Sequence, residues 1–508
     1  MSGTLHLPID GFQSLVARAS AEFSDAGLAN EDIVALLLRN DVGFLVAMTA
    51  CGRSGLYAAT INWQSHPDEI SYVLRDCAAS AILVDDDLLP KVLDIIPPTV
   101  TIYAVGRGLD RATIDSGILV RRAVRDWSAR LLKQSPTEAP PRTTRSVITY
   151  TSGTTGKPKG VIRQPYPDKA AEAKHAETLG KVFGIDEGVR TLLCAPLYHS
   201  GPSAYARLAV RTLGTEGLIV VHARFEAERV LADIQDHRIT HIWMVPTMFH
   251  RLLALPDEIR TAYDLSSLQW ITVSAAHCPA ETKKAMIDWF GPVIFEFYGT
   301  TETGPATVAT SQDALERPGT VGRVLSGISL SIRNEEGEEL PVGEIGEICC
   351  RNIHYPDFTY INRDDERHIL DVASQIRTGD VGELDEDGFL FIRDRKKDMV
   401  IVGGVNIYPA EIESVLVQMP KVVDCAVLGL PHPEYGETLI AAVVLQSGVG
   451  TTEEDIKNYL ANKIAKFKIP RHVFILSELP RHESGKLVKR RLRDELSVLL
   501  PEADRRTA

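Results

Sequence analysis

The chain is short of the features that would tie it to metals, membranes or nucleic acid. Its seven cysteines include no CxxC pair, and no cysteine–histidine cluster has zinc spacing. They are scattered and odd in number, with Cys349 and Cys350 adjacent, which fits reduced thiols and predicts a cytoplasmic protein. No apolar run is long enough to span a bilayer. The first residues, "MSGTLHLPIDGF", lack the basic and apolar regions of a secretory signal. Positive charge is in deficit, with 55 Lys and Arg against 68 Asp and Glu and a formal net charge of −13. That argues against nucleic acid as the main partner and leaves room for a local basic patch that holds a small anion. There is no internal repeat and no low-complexity tract. What the chain does have is core: 508 residues, 44% of them apolar, predict a globular protein of at least two domains.

Periodicity predicts an α/β protein. "DEISYVLRDC" (68–77) has helical spacing and "ASAILVDD" (79–86) reads as a buried strand. "QSPTEAPPRTT" (134–144) reads as an exposed connector, and "SVITY" (146–150) as a strand. The alternation continues through helix 226–237, strand 239–245, a helix opening at Pro246, strand 268–273, a helix over 279–290 and strand 293–297. Strands alternating with helices imply parallel sheets covered by helices. After residue 318 short strands broken by glycine turns predict an antiparallel β section. The last 110 residues read helix (410–419), strands (422–429 and 438–446), helix (452–465), strand (472–477) and helix (488–499), a compact α+β unit.

"TSGTTGKPKG" (151–160) packs three glycines, four hydroxyl side chains and two lysines into ten residues directly after a strand. Glycines let backbone N–H groups turn toward an anion, hydroxyls add donors or reach a metal, and lysine adds charge, so the loop suits a phosphate chain. It is not a Walker A loop, whose spacing it lacks. Pro158 also opposes an immediate helix, which removes the helix-dipole cradle of such enzymes.

"YTSGTTGKPKG" (150–160) resembles the phosphate-loop signature of the adenylate-forming superfamily, which includes acyl- and aryl-CoA synthetases, firefly luciferase and peptide-synthetase adenylation domains. "YGTTETG" (298–304), "RTGD" (377–380), "GFLFIRDRKKDMVIVGGVNIYPAEIE" (388–413) and "PRHESGKLVKR" (480–490) resemble its later motifs in order and spacing. The resemblance implies two steps: a carboxylate attacks the α-phosphate of ATP to give an acyl-adenylate and pyrophosphate, and a thiol, usually that of CoA, displaces AMP. It implies a large adenylation domain over 1–393, a hinge over 394–398 centred on Lys397, and a small mobile domain over 399–508.

By the same resemblance Thr151, Ser152, Gly153, Thr154, Thr155, Gly156 and Lys157 hold phosphate. Glu302 ligates Mg²⁺ with the Thr151 hydroxyl, Thr301 bonds the α-phosphate, and Tyr298 stacks on adenine beside Gly299 and Ala275. Asp380 matches the two ribose hydroxyls, and Arg395 reaches the same sugar or the phosphate. Lys486 enters for the first step and stabilises charge at the α-phosphate. In the other orientation Gly403, Gly404 and Asn406 leave room for the pantetheine arm of CoA. The basic cluster Lys463, Lys466, Lys468, Arg471, Lys489 and Arg490 reads as a patch for CoA phosphates or as a solvated face.

Tyr198, His199, Gly299 and His277 are expected to border the acid, with His199 gating the pocket. Relatives that activate α-amino acids usually carry Asp at this point for the ammonium group. "PLYHSGP" has none, which favours simple fatty or aromatic acids. Two departures stand out: "SAAHCP" (274–279) puts His277 and Cys278 where smaller or apolar residues are common, and "VIRQP" (161–165) lacks the Thr-His that often follows the glycine loop. The reading is an AMP-forming carboxylic acid–CoA ligase that uses ATP, Mg²⁺ and CoA. An acyl carrier protein as acceptor and a luciferase-like oxidase are the alternatives, and a homodimer is left open.

Overall fold

The computed structural model describes residues 9–114, 118, 122–136, 142–151, 157–402, 405–432, 435–446, 450–481 and 487–500. Seven strands open the chain: β1 (Ile33–Leu37), β2 (Tyr57–Thr60), β3 (Ala81–Asp85), β4 (Thr101–Val105), β5 (Val124–Asp126), β6 (Val147–Thr151) and β7 (Lys159–Arg163). β6, β2, β1, β3, β4 and β5 run parallel in that spatial order, and β7 turns back antiparallel on β6. The glycine loop therefore joins a hairpin and not a strand to a helix, as Pro158 leads one to expect.

The second sheet starts with β8 (Arg190–Leu193), β9 (Leu218–Val221), β10 (His241–Met244), β11 (Trp270–Val273) and β12 (Ile294–Thr300), all parallel. β13 (Gly304–Ala309) folds back on β12, and the antiparallel strands β14 (Thr320–Val324), β15 (Ile328–Arg333) and β16 (Gly346–Asn352) follow. β17 (Phe358–Tyr360) crosses to the first sheet and pairs with β7. β18 (Asp371–Val372), β19 (Gln375–Leu384) and β20 (Phe389–Arg395) return to the second. The antiparallel section is thus not a separate layer: it extends the parallel strands into one twelve-stranded mixed sheet. The β-branched and glycine-rich texture after residue 318 predicts the pairing sense but carries no signal for that continuity.

One large core joins the facing sides of the two sheets through the helices Val42–Arg53 and Ser200–Arg211. A separate cluster covers the other side of the first sheet. The smaller C-terminal unit is α+β, with β21 (Val400–Val402), β22 (Val405–Ile407), β23 (Val422–His432), β24 (Gly436–Leu445) and β25 (His472–Leu476) in one sheet covered on both faces. The short β21–β22 hairpin lacks a long enough alternation to be expected from sequence. The seven cysteines are buried and free, and no described helix is long and apolar enough to cross a membrane.

Candidate active site

Some of the residues singled out in the sequence, Glu302 among them, lie where parallel strands of the second sheet end. Tyr198 and His199 follow β8, Ala275 and His277 follow β11, and Tyr298 to Glu302 close β12. Loops at the carboxyl ends of parallel strands form the crevice in which open α/β sheets bind ligands.

β12 and β13 are joined by Thr301, Glu302 and Thr303, with a register shift at Tyr298 and Gly299. Gly299 has to be glycine: a Cβ there would lie 2.3 Å from the Gly304 carbonyl oxygen. The Thr301 hydroxyl is 2.9 Å from that of Ser200, which ties the turn to the helix Ser200–Arg211. Arg163 at the end of β7 donates to the carbonyls of Thr301, of Glu302 at 2.9 Å and of Pro356 at 2.8 Å, and its guanidinium lies over the Tyr355 ring. "VIRQP" thus departs from the family pattern at a residue that fixes the backbone of "YGTTETG". The departure was the only sequence signal for it.

Glu302 accepts from the Tyr360 hydroxyl at 3.0 Å through one oxygen, and the other takes no partner among the described residues. Among these residues no three His, Cys, Asp or Glu side chains converge as a metal cage. One carboxylate with a free oxygen suits Mg²⁺, a hard ion that is commonly held by one or two carboxylates, water and substrate phosphates. Thr151 ends β6 opposite Lys159, which pairs with Glu366. Lys157 is exposed, with its ammonium 5.4 Å from the Tyr72 ring centre. Ser152, Gly153, Thr154, Thr155 and Gly156 lie outside the described residues.

Asp380 on β19 is 6% exposed and receives the Tyr298 phenol at 2.9 Å, with Arg395 3.3 Å from its other oxygen. Burial pushes the Asp380 carboxyl above the usual range, and the Arg395 charge and the phenol oppose that rise. Tyr298, expected to offer its ring to adenine, is itself buried among Ala306, Val321, Ile348 and Leu390. Ala275 adopts φ +77, a left-handed conformation that costs a residue with a Cβ.

At the residues expected to border the acid, the rings of Tyr198 and His199 are 4.5 Å apart, and Thr60 donates to the Tyr198 carbonyl at 2.9 Å. Asn40, which no motif singles out, clamps this turn: its amide donates to the Ala195 carbonyl and its oxygen accepts from Leu197 N–H, both at 2.8 Å. Gly201 leaves space for Trp243, which would be 2.7 Å from a Cβ there. His277, expected in the acid pocket, is exposed and lies 3.0 Å from the Ser414 hydroxyl of the small domain.

Lys397 is exposed in the turn between β20 and β21, the crossing from the large sheet to the small one. Asp394 accepts from Ala410 N–H at 3.0 Å, at the start of the small domain's helix Pro409–Leu416. Lys489 lies 3.2 Å from Asp398. Lys486, Gly403 and Gly404 lie outside the described residues, and Asn406 is exposed on β22. Arg481 and Leu487, on either side of residues 482–486 in sequence, form a β-bridge, and Arg481 pairs with Asp424 at 2.7 Å. In the basic cluster Lys468 pairs with Glu411.

Two helix-covered sheets with a crevice at their strand ends and a small α+β unit beyond a turn make up the fold of adenylate-forming enzymes. The AMP-binding enzyme family matches residues 10–355 and the AMP-binding enzyme C-terminal domain matches 411–486, so the chain belongs to this family and is an acid–thiol ligase. It is 30% identical to the indoleacetate–CoA ligase of Aromatoleum aromaticum, over 94% of this chain and 90% of that one. It is also 30% identical to the fatty acid–[acyl-carrier-protein] ligase ScoC of Streptomyces coeruleorubidus, over 92% and 88%. The ATP-bound crystal structure of MatB from Rhodopseudomonas palustris superposes with a TM-score of 0.81 at 26% identity, covering 96% of this chain and 93% of that one. Adenylate-forming CoA ligases use ATP, Mg²⁺ and CoA.

Proposed function

We propose that the protein is an AMP-forming carboxylic acid–CoA ligase acting on a fatty or aromatic acid. The observation that carries the reading is the Tyr298–Asp380–Arg395 group, with Tyr298 and Asp380 buried and Arg395 at the surface, beside the Thr301–Ser200 contact: a polar cradle, closed by a carboxylate, next to donors for phosphate. The Asp380 carboxylate has about four lone-pair sites, so with Tyr298 and Arg395 bound it can still accept both hydroxyls of a ribose.

In the first step an oxygen of the acid attacks the α-phosphorus of ATP, the bond to the bridging oxygen breaks, and pyrophosphate leaves with the electron pair. Thr301 supplies a donor to the α-phosphate, and Arg163 keeps the Thr301–Glu302 backbone in place for it. Glu302 and the Thr151 hydroxyl would hold Mg²⁺, which offsets triphosphate charge. Lys486 adds a cation on the same oxygens in this step. Tyr198, His199 and Gly299 border the acid, and His199 gates its entry. In the second step the thiol sulfur gives up its proton to solvent and bonds to the acyl carbon, the bond from that carbon to the phosphate oxygen breaks, and AMP departs with the electron pair. Rotation at Lys397 exchanges Lys486 for the 403–406 turn, through which the pantetheine arm enters.

The test is pyrophosphate release over acids of several chain lengths and ring types, with thioester formation followed with CoA and with an acyl carrier protein. Release and thioester with CoA support the reading, and thioester with the carrier alone replaces the acceptor. No release with any acid refutes it.

A further inference from the structure

Behind the Ser200–Thr301 contact lies a narrow cavity that none of these roles uses, bounded by β6, β7 and the helix Ser200–Arg211. Ser200, Ser203, Ala204 and Arg207 line it at i, i+3, i+4 and i+7, one face of the helix. From Ser200 to Arg207 it follows the helix for about 10 Å. At the Ser200 end it meets Thr301, and Arg163 and Tyr166 face it from the hairpin side. No described Asp or Glu lines it.

Arg207 is unmatched in this setting. Its Nε is enclosed without a hydrogen-bond partner, and among the described residues it makes no ion pair. Glu172, on the helix Lys169–Phe183, pairs with Arg211 at 3.3 Å. Glu302 acts on Arg163 through its charge but does not line the cavity, and Arg163 donates through its two Nη atoms to the carbonyls of Thr301, Glu302 and Pro356. His175, also on the lining, adds no positive charge of its own: burial, and then the charges of Arg207 and Arg163, push its pKa down to about 3. Enclosing the Arg207 guanidinium without an acid beside it is costly, and an oxyanion that enters recovers that cost.

We infer that Arg207 and Arg163, with Tyr166, form a subsite for an oxyanion that reaches the cavity from the Thr301 end. Two sources share this chemistry: a second carboxylate at the far end of the acid, and the pyrophosphate released beside Thr301. Only the choice of source rests on the ligase reading; the anion site itself does not. The segment "PLYHSGP" carries no acid for an ammonium group and the cavity carries cations for an anionic tail, so a dicarboxylic acid fits both observations.

The experiment is calorimetric titration of the full-length protein with sodium pyrophosphate and with dicarboxylates from malonate to suberate, repeated in Arg207→Gln, Arg207→Lys and Ala204→Leu. At least one probe should bind about ten- to a hundredfold more weakly to Arg207→Gln, the usual range for a hydrogen bond to a charged group, with part of the loss restored in Arg207→Lys. Ala204→Leu fills the cavity without touching the charge and should weaken the same probe. This keeps the test open if Arg207→Gln does not fold. A dicarboxylate effect alone assigns the site to the acid, and a pyrophosphate effect alone assigns it to the leaving group. Neither probe binding the unmodified protein, or both binding the variants with unchanged affinity, overturns the inference. If no acid supports pyrophosphate release but the Arg207-dependent binding persists, the ligase reading fails and the anion site stands.

Discussion

The phenol of Tyr298 donates to one oxygen of Asp380 at 2.9 Å while Arg395 lies 3.3 Å from the other, so β12, β19 and β20 meet on a single carboxylate. Asp380→Asn keeps the shape and removes the charge. ATP affinity should fall about ten- to a hundredfold, the range for hydrogen bonds to a charged acceptor. Tyr298→Phe removes one donor from a buried acid and should lower unfolding free energy by about 1–3 kcal/mol. Nucleotide titration and denaturant unfolding check the two effects, and unchanged ATP affinity in Asp380→Asn would remove Asp380 from the nucleotide site.

Arg163→Met leaves the carbonyls of Thr301, Glu302 and Pro356 without their shared donor. Pyrophosphate release should fall by about a hundredfold, on the scale of losing one positioned transition-state contact. Arg163→Lys should recover little, because an ammonium lacks the planar fork that spans several carbonyls. Activity equal to that of the unmodified enzyme in Arg163→Met would show that the turn holds itself.

His175 is buried, its Nδ1 3.2 Å from the His354 carbonyl, and its pKa is pushed down to about 3, first by burial. In the unfolded chain it titrates near 6.5. Below that pH only the unfolded state takes up the proton, so stability is full above about pH 6.5 and falls as the pH drops toward 3. The loss from this residue should reach about 2 kcal/mol at pH 5. Urea midpoints of the unmodified protein and His175→Gln between pH 7 and 5 measure it; parallel slopes would contradict the assignment.

Ala275→Gly should raise unfolding free energy by about 1 kcal/mol, since glycine carries no Cβ penalty at φ +77. Thermal melting reads the gain. Pyrophosphate release measured alongside tells whether the strained backbone serves the reaction, in which case the stabler variant is slower.

Lys397→Pro fixes φ near −65° and removes a backbone donor at the turn between the two sheets. If this residue is the pivot, one half-reaction survives and the other is lost. Separate assays of adenylate formation from ATP and of thioester formation from pre-made acyl-adenylate decide it; equal effects on both would place the pivot elsewhere.

The local pattern reads well from sequence because it is written in adjacent residues. The strand that runs into the glycine loop, the helix opening at Pro246 and the element order of the last hundred residues appear as periodicity predicts. What did not read were partners distant in the chain. Asn40 clamps Ala195 and Leu197 from more than 150 residues away, and nothing around Asn40 marks it. Tyr360 reaches Glu302 only because β17 crosses to the first sheet, a long-range pairing with no local signature. His277 looks like a pocket residue in "SAAHCP", yet its hydrogen bond belongs to a domain arrangement that no single segment encodes.

The helix Pro409–Leu416 has no cap from its own flanking residue Tyr408; Asp394, on the other side of the Lys397 turn, accepts the Ala410 N–H in its place. A helix capped by its own segment keeps the cap wherever it goes, whereas this one surrenders it if the small unit swings away. An N-terminal cap contributes about 0.5–2 kcal/mol, so its loss alone biases the two orientations by roughly two- to thirtyfold. That is a shallow preference. Differential binding of a nucleotide or thiol can overturn it, so the resting population becomes a quantity that a single aspartate tunes.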